Sequence, residues 1–332
     1  MAAGTEVVTR VGDRTLTLTN LDKVLYPAAG YTKAEVINYY LQIAPTMLPH
    51  IRDRAMTRLR YPDGVRIEHR DDRGGTTPPA TGAFYEKNAP GGTPDWVPRT
   101  RIGTSDGVID YLRVEEPATL VWLANLAALE LHTPQWTISS GRAGADGVID
   151  LPDGDPRPGE LLADRVVVDL DPGAGMGIVE VARAALIVAG RMAEDGLIPV
   201  PQSSGSKGIQ VYAAVSPTRS RDIWAYVKAL NASLARTYPD FFVATMSVQQ
   251  RAGRIYVDYN QNLAARNTIA PYSLRGRELP SVATPVTWEE VGAVTDAGDL
   301  RFSPEQVLDR VAEHGDLAAE LLVADRPPLP PA

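Results

Sequence analysis

Two carboxylates two residues apart, set in an apolar run, are the first residues in this chain whose spacing could do chemistry. The run is Arg165-Val166-Val167-Val168-Asp169-Leu170-Asp171-Pro172. Three consecutive Val and a Leu predict a buried strand, and residues two apart on a strand point to the same face. Asp169 and Asp171 therefore stand side by side. Adjacent carboxylates repel each other and are costly to bury without a counter-charge. A divalent cation, held by one or two carboxylates together with substrate phosphates, is the usual remedy. Pro172 and Gly173 end the strand and place the pair at its exposed end. The same residues also read as a strand end carrying two solvated acids, and this stretch alone does not decide between the two.

Other stretches carry matching chemistry. Gln202-Ser203-Ser204-Gly205-Ser206-Lys207-Gly208 lies between two short apolar runs within 200–215, a strand–turn–strand pattern. Its glycines would let backbone N–H groups approach an anion, and Lys207 adds charge. The P-loop spacing is absent, and a plain hairpin turn remains the alternative. Arg254-Ile255-Tyr256-Val257-Asp258-Tyr259 is a second apolar strand with an Asp near its end. Phe84-Tyr85-Glu86-Lys87 sets adjacent aromatics beside a cation, a pairing that stacks bases and holds phosphates, although paired aromatics are more often core. Seven Arg fall within residues 50–73. After them, the stretch to about Gly82 reads as a long mobile loop.

The elements that must position these residues follow from periodicity. Thr15–Thr19 alternates as a strand after a polar arm. Thr32-x-x-Glu35 is a capping box opening a helix to about Met47, with Val36, Tyr39, Tyr40, Ile43 and Met47 on one face. Lys23 and Lys33 flank the turn before it and, taken alone, read as surface charges. A strongly apolar helix is expected from Pro117 to about Leu131, leading to His132, which in that position is usually a structural histidine. Residues 141–160 read as a loop, 178–194 and 220–237 as helices, and Ser303-x-x-Gln306 as the cap of an acidic C-terminal helix.

At 332 residues and 44% hydrophobic content the chain can bury a large core. It has no Cys, which excludes disulfides, thiolate catalysis and Cys-ligated zinc. Its four His show no HExxH spacing. No run of about 18 apolar residues or signal-like N-terminus occurs, so a soluble, non-exported protein without membrane contact is expected. The net charge of −8 argues against a nucleic-acid partner until its distribution is read. Residues 285–325 carry ten acids against two bases, which accounts for the whole excess. Residues 251–277 hold five Arg against one Asp, so a local basic groove is compatible with the acidic total.

In their order, these blocks resemble the archaeo-eukaryotic primase superfamily, and most of all the polymerase domain of bacterial end-joining DNA ligases of the LigD type, including its stand-alone versions. The similarity runs from about Leu18 to Asp325. It rests on Leu21-Asp22-Lys23-Val24-Leu25-Tyr26-Pro27, Phe84-Tyr85-Glu86-Lys87, Leu129-Glu130-Leu131-His132-Thr133-Pro134-Gln135-Trp136, Val168-Asp169-Leu170-Asp171-Pro172, Ser204-Gly205-Ser206-Lys207-Gly208 and Thr268-Ile269-Ala270-Pro271-Tyr272-Ser273-Leu274-Arg275-Gly276-Arg277.

That resemblance implies an α+β primase-polymerase fold, with mixed, largely antiparallel sheets flanked by helices in one bilobed domain over 1–325. Within it, a DNA-binding part covers about 1–115, a catalytic core about 116–285 and an acidic helix about 300–323, with a disordered tail at 326–332. It implies that Asp169, Asp171 and Asp258 hold two ions, Mn²⁺ or Mg²⁺, for nucleotide transfer to a primer 3′-hydroxyl. His132, Ser204, Lys207, Gly208, Arg251, Gln261 and Arg275 would contact a nucleoside triphosphate, preferentially a ribonucleotide. Lys23 and Lys33 would grip the 5′-phosphate of a downstream strand at a gap or break. Arg60, Phe84, Tyr85 and Lys87 would meet DNA, the aromatic pair by stacking on the template. Ku and a DNA ligase are the further partners it implies, and a cytoplasmic, nucleoid-associated location.

Two departures stand out. Superfamily members often carry His where this chain has Gln210, and the insert at 65–83 is longer than usual. Two other readings compete. A DxD-type glycosyltransferase leaves Asp258, the two Lys and the aromatic pair without roles. A catalytically silent DNA-end-binding module does not explain three retained carboxylates.

Overall fold

In the computed structural model, residues 6–66, 82–105, 107–151, 161–245, 247, 250–296 and 298–332 are described. The alternating Thr and Leu of 15–19 form β2 (Arg14–Thr19), paired antiparallel with β1 (Glu6–Val11). That pairing makes part of the expected polar arm a strand. β3 (Val24–Tyr26) and β4 (Tyr31–Thr32) close a short hairpin leading into α1 (Lys33–Ile51). The Thr32–Glu35 capping box forms as read, and α1 runs one turn past Met47.

β5 (Thr57–Arg60) and β6 (Phe84–Glu86) follow, then the hairpin β7 (Arg99–Thr104) and β8 (Gly107–Leu112). Most of the 65–83 insert, including Arg70 and Arg73, lies outside the described residues.

The apolar stretch from Pro117 departs from expectation. Its helix, α2 (Pro117–Asn125), ends at Asn125, Ala127 takes a positive φ of 56°, and the chain turns into β9 (Ala128–Thr133). Leu129 and Leu131 are strand residues, and His132 sits on a strand rather than beyond a helix. A uniformly apolar run has no period from which to tell a helix from a buried strand. β9 is buried along its whole length, between β5 and β16 (Thr268–Ile269), in the four-stranded sheet β16–β9–β5–β6.

β10 (Val148–Asp150) lies within the expected 141–160 loop and pairs parallel with β7. The central sheet is built on β11 (Leu162–Pro172), followed by α3 (Ile178–Glu194), β12 (Val200–Ser203), β13 (Ile209–Arg219) and α4 (Ser220–Thr237). β14 (Phe242–Val243), β15 (Ile255–Val257) and β19 (Thr284–Pro285) complete the order β14–β15–β11–β13–β12–β19. Among the named strands the pairs are antiparallel except β7–β10 and β14–β15. This is the expected α+β architecture.

β17 (Leu274–Arg275) and β18 (Ser281–Val282) form a hairpin, and α5 (Trp288–Gly292) and α6 (Pro304–His314) finish the helices. The Ser303–Gln306 box caps α6 as read.

Two large apolar cores and a small third cluster, Val167, Val200, Tyr212, Ala318 and Leu321, result among the described residues. One gathers α1, α2 and β9. The other packs α3 and α4 under the central sheet through Val166, Val168 and Leu170. Asp169 and Asp171 are on the opposite face of β11, by the period of two.

The Pro-rich tail is anchored, in contrast to the disorder expected of 326–332. Arg326 pairs with buried Asp164 at 2.7 Å, Ser216 N–H donates to the Pro327 carbonyl at 2.8 Å, and Leu329 packs on the second core. One buried carboxylate fixes a segment that composition alone marks as free. No helix among the described residues is long and apolar enough to cross a membrane.

Candidate active site

Sheet register brings the three aspartates together. β15 runs antiparallel to β11 with Val257 opposite Leu170, and Asp258 N–H donates to the Asp169 carbonyl at 2.9 Å. Asp258 lies one residue past β15, at the start of a 3-10 turn over Tyr259–Asn262, and not within the strand itself.

Each carboxylate has a protein partner. Gln210 on β13 donates to Asp169 Oδ1 at 3.2 Å, Arg251 Nη1 lies 3.5 Å from Asp171 Oδ2, and Gln261 donates to Asp258 Oδ2 at 3.0 Å. Among the described residues, no three His, Asp or Glu side chains are gathered tightly enough to surround a single ion as they stand. Burial holds the Asp169 carboxyl above the ordinary carboxylate range, helped by the Asp171 charge and opposed by Gln210. Burial likewise raises Asp171, against the pull of Arg251. Neighbouring carboxylates, two of them raised chiefly by burial, are a donor set for hard divalent cations, all oxygen and strongly anionic.

Beside Asp169 opens a cleft of about 440 Å³ lined by Tyr85, Lys87, His132, Asp169, Gln210, Gln261, Thr268 and Arg275, among others. Six residues expected from sequence (Tyr85, Lys87, His132, Asp169, Gln261 and Arg275) meet in one place. The turn that follows β12 adjoins them. Gly205, at φ 66°, comes so close to β18 that a Cβ would lie 2.6 Å from the Val282 carbonyl and 2.8 Å from Arg275 Cγ. Ser204 Oγ accepts from Gly208 N–H at 3.1 Å, closing the turn with Lys207 exposed.

Asp171, Asp258 and Arg251 flank the cleft rather than line it. Arg251 sits on a segment hydrogen-bonded to the end of β11, Gly173 N–H donating to the Arg254 carbonyl at 2.9 Å. Its guanidinium lies over the Tyr256 ring.

A second cluster is carried on the turn before α1 and on the β5–β6 pair, which reaches the cleft through Tyr85. Lys33 is buried and donates to the Thr19 carbonyl at 2.7 Å, so it is not the surface charge that its flanking position suggests. Burial, then the nearby Lys23 and Arg60 charges, lower it to about 8. Lys23 is half-exposed and 3.6 Å from Asp63. Arg60 is held by Glu86 at 3.2 Å and stacks on Phe84 at 5.3 Å. Phe84 and Tyr85 are exposed, at 42% and 59%. Exposed aromatics on a short strand suit stacking on a base better than core packing.

Sequence reading missed Thr57, Arg266, Asn267 and Thr268, which also line the cleft, and above all Glu130. Glu130 and His132 share a face of β9, a relationship hidden while that stretch read as helix. Arg54 and Arg58, counted in the Arg-rich run, are buried structural cations paired with Asp164 and Glu86.

Comparison with known proteins decides the family. Residues 32–318 match the family model described as LigD, primase-polymerase domain. The chain belongs to that family. It is 41% identical over 305 residues to the multifunctional non-homologous end joining protein LigD of Mycolicibacterium smegmatis, covering 92% of this chain and 36% of that one. To the bifunctional LigD of Bacillus subtilis it is 30% identical over 303 residues, 90% of this chain and 43% of that protein. It thus spans less than half of each of these curated relatives. The polymerase domain of Mycobacterium tuberculosis ligase D, solved in complex with DNA, superposes with a TM-score of 0.78 at 38% identity, covering 94% of this chain and 99% of that one. As a LigD primase-polymerase domain, the chain is a DNA-directed nucleotidyltransferase of a metal-dependent family, and the glycosyltransferase reading falls.

Proposed function

We propose that this LigD primase-polymerase domain adds nucleotides, ribonucleotides at least as well as deoxyribonucleotides, to a primer 3′-hydroxyl at short gaps or breaks bearing a 5′-phosphate. The observation that carries the reading is the β11–β15 register, which sets Asp258 against Asp169 beside the cleft.

Asp169, Asp171 and Asp258 would hold the divalent ions, Mn²⁺ or Mg²⁺; such ions, when bound, lower the pKa of the attacking hydroxyl and neutralise charge developing on the phosphates. The protein's own groups supply the rest. Arg275, His132 and Lys87 line the cleft and present positive or donor groups to a triphosphate, and Lys207 with the backbone of the 204–208 turn adds to them. Tyr85 and Phe84 offer exposed rings to a templating base. Lys23, with Lys33 and Arg60 behind it, offers a compact positive site for a terminal phosphate, which carries more charge than an internal one.

The relatives' names point to non-homologous end joining, with a ligase acting downstream, and a solved relative's complex with DNA supports DNA as the partner. Ku and a nucleoid-associated location belong to the same proposal. The test is extension of gapped, nicked, overhanging and unprimed DNA with each nucleotide class in Mn²⁺. Gap extension favouring ribonucleotides or indifferent between the two is expected. A strong deoxyribonucleotide preference, or extension indifferent to the gap, would contradict the proposal.

A further inference from the structure

Glu130 is the most enclosed carboxylate near the cleft, and its side chain is only 4% exposed. Buried carboxylates are seldom kept unless paired. Its partners are therefore informative. Oε2 lies 3.1 Å from His132 Nε2. Oε1 accepts from Gly276 N–H at 2.9 Å and from the Tyr61 hydroxyl at 3.3 Å. Arg275 Nε stands 3.5 Å from Oε1, an ion pair without hydrogen-bond geometry. Burial alone would raise this carboxyl, yet the Arg275 charge and the His132 and Gly276 hydrogen bonds outweigh it and hold it near 2.

These partners come from different elements: His132 from β9, Arg275 and Gly276 from the β17 hairpin, Tyr61 from the residue after β5. Close packing keeps them there. A Cβ on Gly276 would lie 2.0 Å from Tyr61 Cζ, so only glycine lets the phenol reach Glu130. With His132 Nε2 engaged, Nδ1 is the ring nitrogen left, and it has no hydrogen-bond partner among the described residues. The same holds for the terminal nitrogens of Arg275, and both residues line the cleft.

We propose that Glu130 is a positioning residue: it turns its partners' backs to the protein so that His132 Nδ1 and the Arg275 terminal nitrogens face the triphosphate. This rests on the nucleotide-transfer reading above. With Nε2–H given to the carboxylate, Nδ1 donates to a phosphate oxygen only when the ring carries both protons, as an imidazolium beside the triphosphate. Two residues aimed by one buried acceptor lose their aim together when it is replaced. In Glu130→Gln the amide puts an N–H among donors and removes the charge Arg275 faces.

The test measures ribonucleoside triphosphate KM and kcat in gap extension with Mn²⁺, alongside gapped-DNA Kd, for wild type, Glu130→Gln, Arg275→Ala and the double variant. Glu130→Gln should raise KM at least about tenfold, a loss typical of a charge-assisted hydrogen bond, with gapped-DNA affinity near wild type; its melting temperature should also fall, as it does when a buried ion pair loses its anion. Because both act on one contact, adding it to Arg275→Ala should raise KM by less than about threefold more. A merely structural role would predict multiplicative losses with Arg275→Ala and a fall in kcat and DNA affinity alongside KM.

Should Glu130→Gln fail to fold, Tyr61→Phe removes a single hydroxyl donor and should raise KM about threefold. Unchanged KM in whichever variant folds, or full multiplicativity with Arg275→Ala, would overturn the role of Glu130. A wild-type protein that extends no primer would instead overturn the nucleotide-transfer reading itself.

Discussion

Gln210 donates from Nε2 to Asp169 Oδ1 at 3.2 Å, and its own Oε1 is fixed by the Tyr212 hydroxyl at 2.9 Å and by Gln202 Nε2 at 3.4 Å. Those two donors leave the amide one orientation, with its N–H₂ toward the carboxylate. The position where the superfamily often carries His is thus filled by a neutral donor aimed at Asp169 on β11. Gln210→Leu removes it, and Asp169 will hold its proton more tightly. The half-saturating Mn²⁺ concentration for extension at neutral pH should rise about tenfold, the worth of a hydrogen bond to a charged group. A metal-titrated extension assay reads this directly, and an unchanged midpoint would show that Gln210 does not support the metal site.

Lys33 gives a pH signature. Its folded pKa is lowered to about 8 by burial and by Lys23 and Arg60, so the ammonium is charged at pH 7 and loses its proton above about pH 8. Preference for a 5′-phosphate over a 5′-hydroxyl at a gap should therefore be full at pH 7 and fade as pH rises through about 8. The charged form is the one disfavoured by burial, so folding stability should rise, not fall, between that pH and the ordinary lysine value. Lys23→Ala with Lys33→Ala should erase the preference while leaving simple primer extension nearly unchanged. Competition binding with the two gap ends from pH 6.5 to 9.5 provides the check, and a pH-independent preference would count against Lys33.

Asp164 holds Arg54 at 2.5 Å and Arg326 at 2.7 Å, with Arg165 4.0 Å away. Burial alone would raise its carboxyl, but these three cations overcome that and hold it to about 2. Its contribution to stability is present above the ordinary Asp value and is lost as pH falls through about 2. Asp164→Ala leaves two buried guanidiniums unpaired and should cost about 3–5 kcal/mol in denaturant unfolding at pH 7. A loss below about 1 kcal/mol, within the range of surface pairs, would mean that the cluster is solvated rather than buried.

Where local patterns are strong, the sequence was legible. Helices over 178–194 and 220–237 have the bounds their amphipathic periodicity implies, and the Thr32 and Ser303 capping boxes form. Asp169, His132, Gln261 and Arg275 meet at one cleft although more than a hundred residues separate the first and last of them. What was not legible depends on tertiary partners. The β9 strand is apolar on both sides because it is covered on both, so no period marked it, and with it went the pairing of Glu130 with His132. Lys33 looked exposed beside a turn because its acceptor, Thr19, is brought near only by the fold. The tail looked free because its anchor, Asp164, is distant in sequence.

The most direct measurement is single-nucleotide extension on a gapped primer–template by Asp171→Ala, paired with its affinity for the same DNA. If the three aspartates hold the ions as proposed, removing one carboxylate takes away stabilisation of developing charge but no contact with the DNA backbone. The extension rate should fall at least about a hundredfold, while gapped-DNA Kd stays within about twofold of wild type. Extension retained at more than about a tenth of the wild-type rate would contradict the assignment of the aspartate cluster as the catalytic centre.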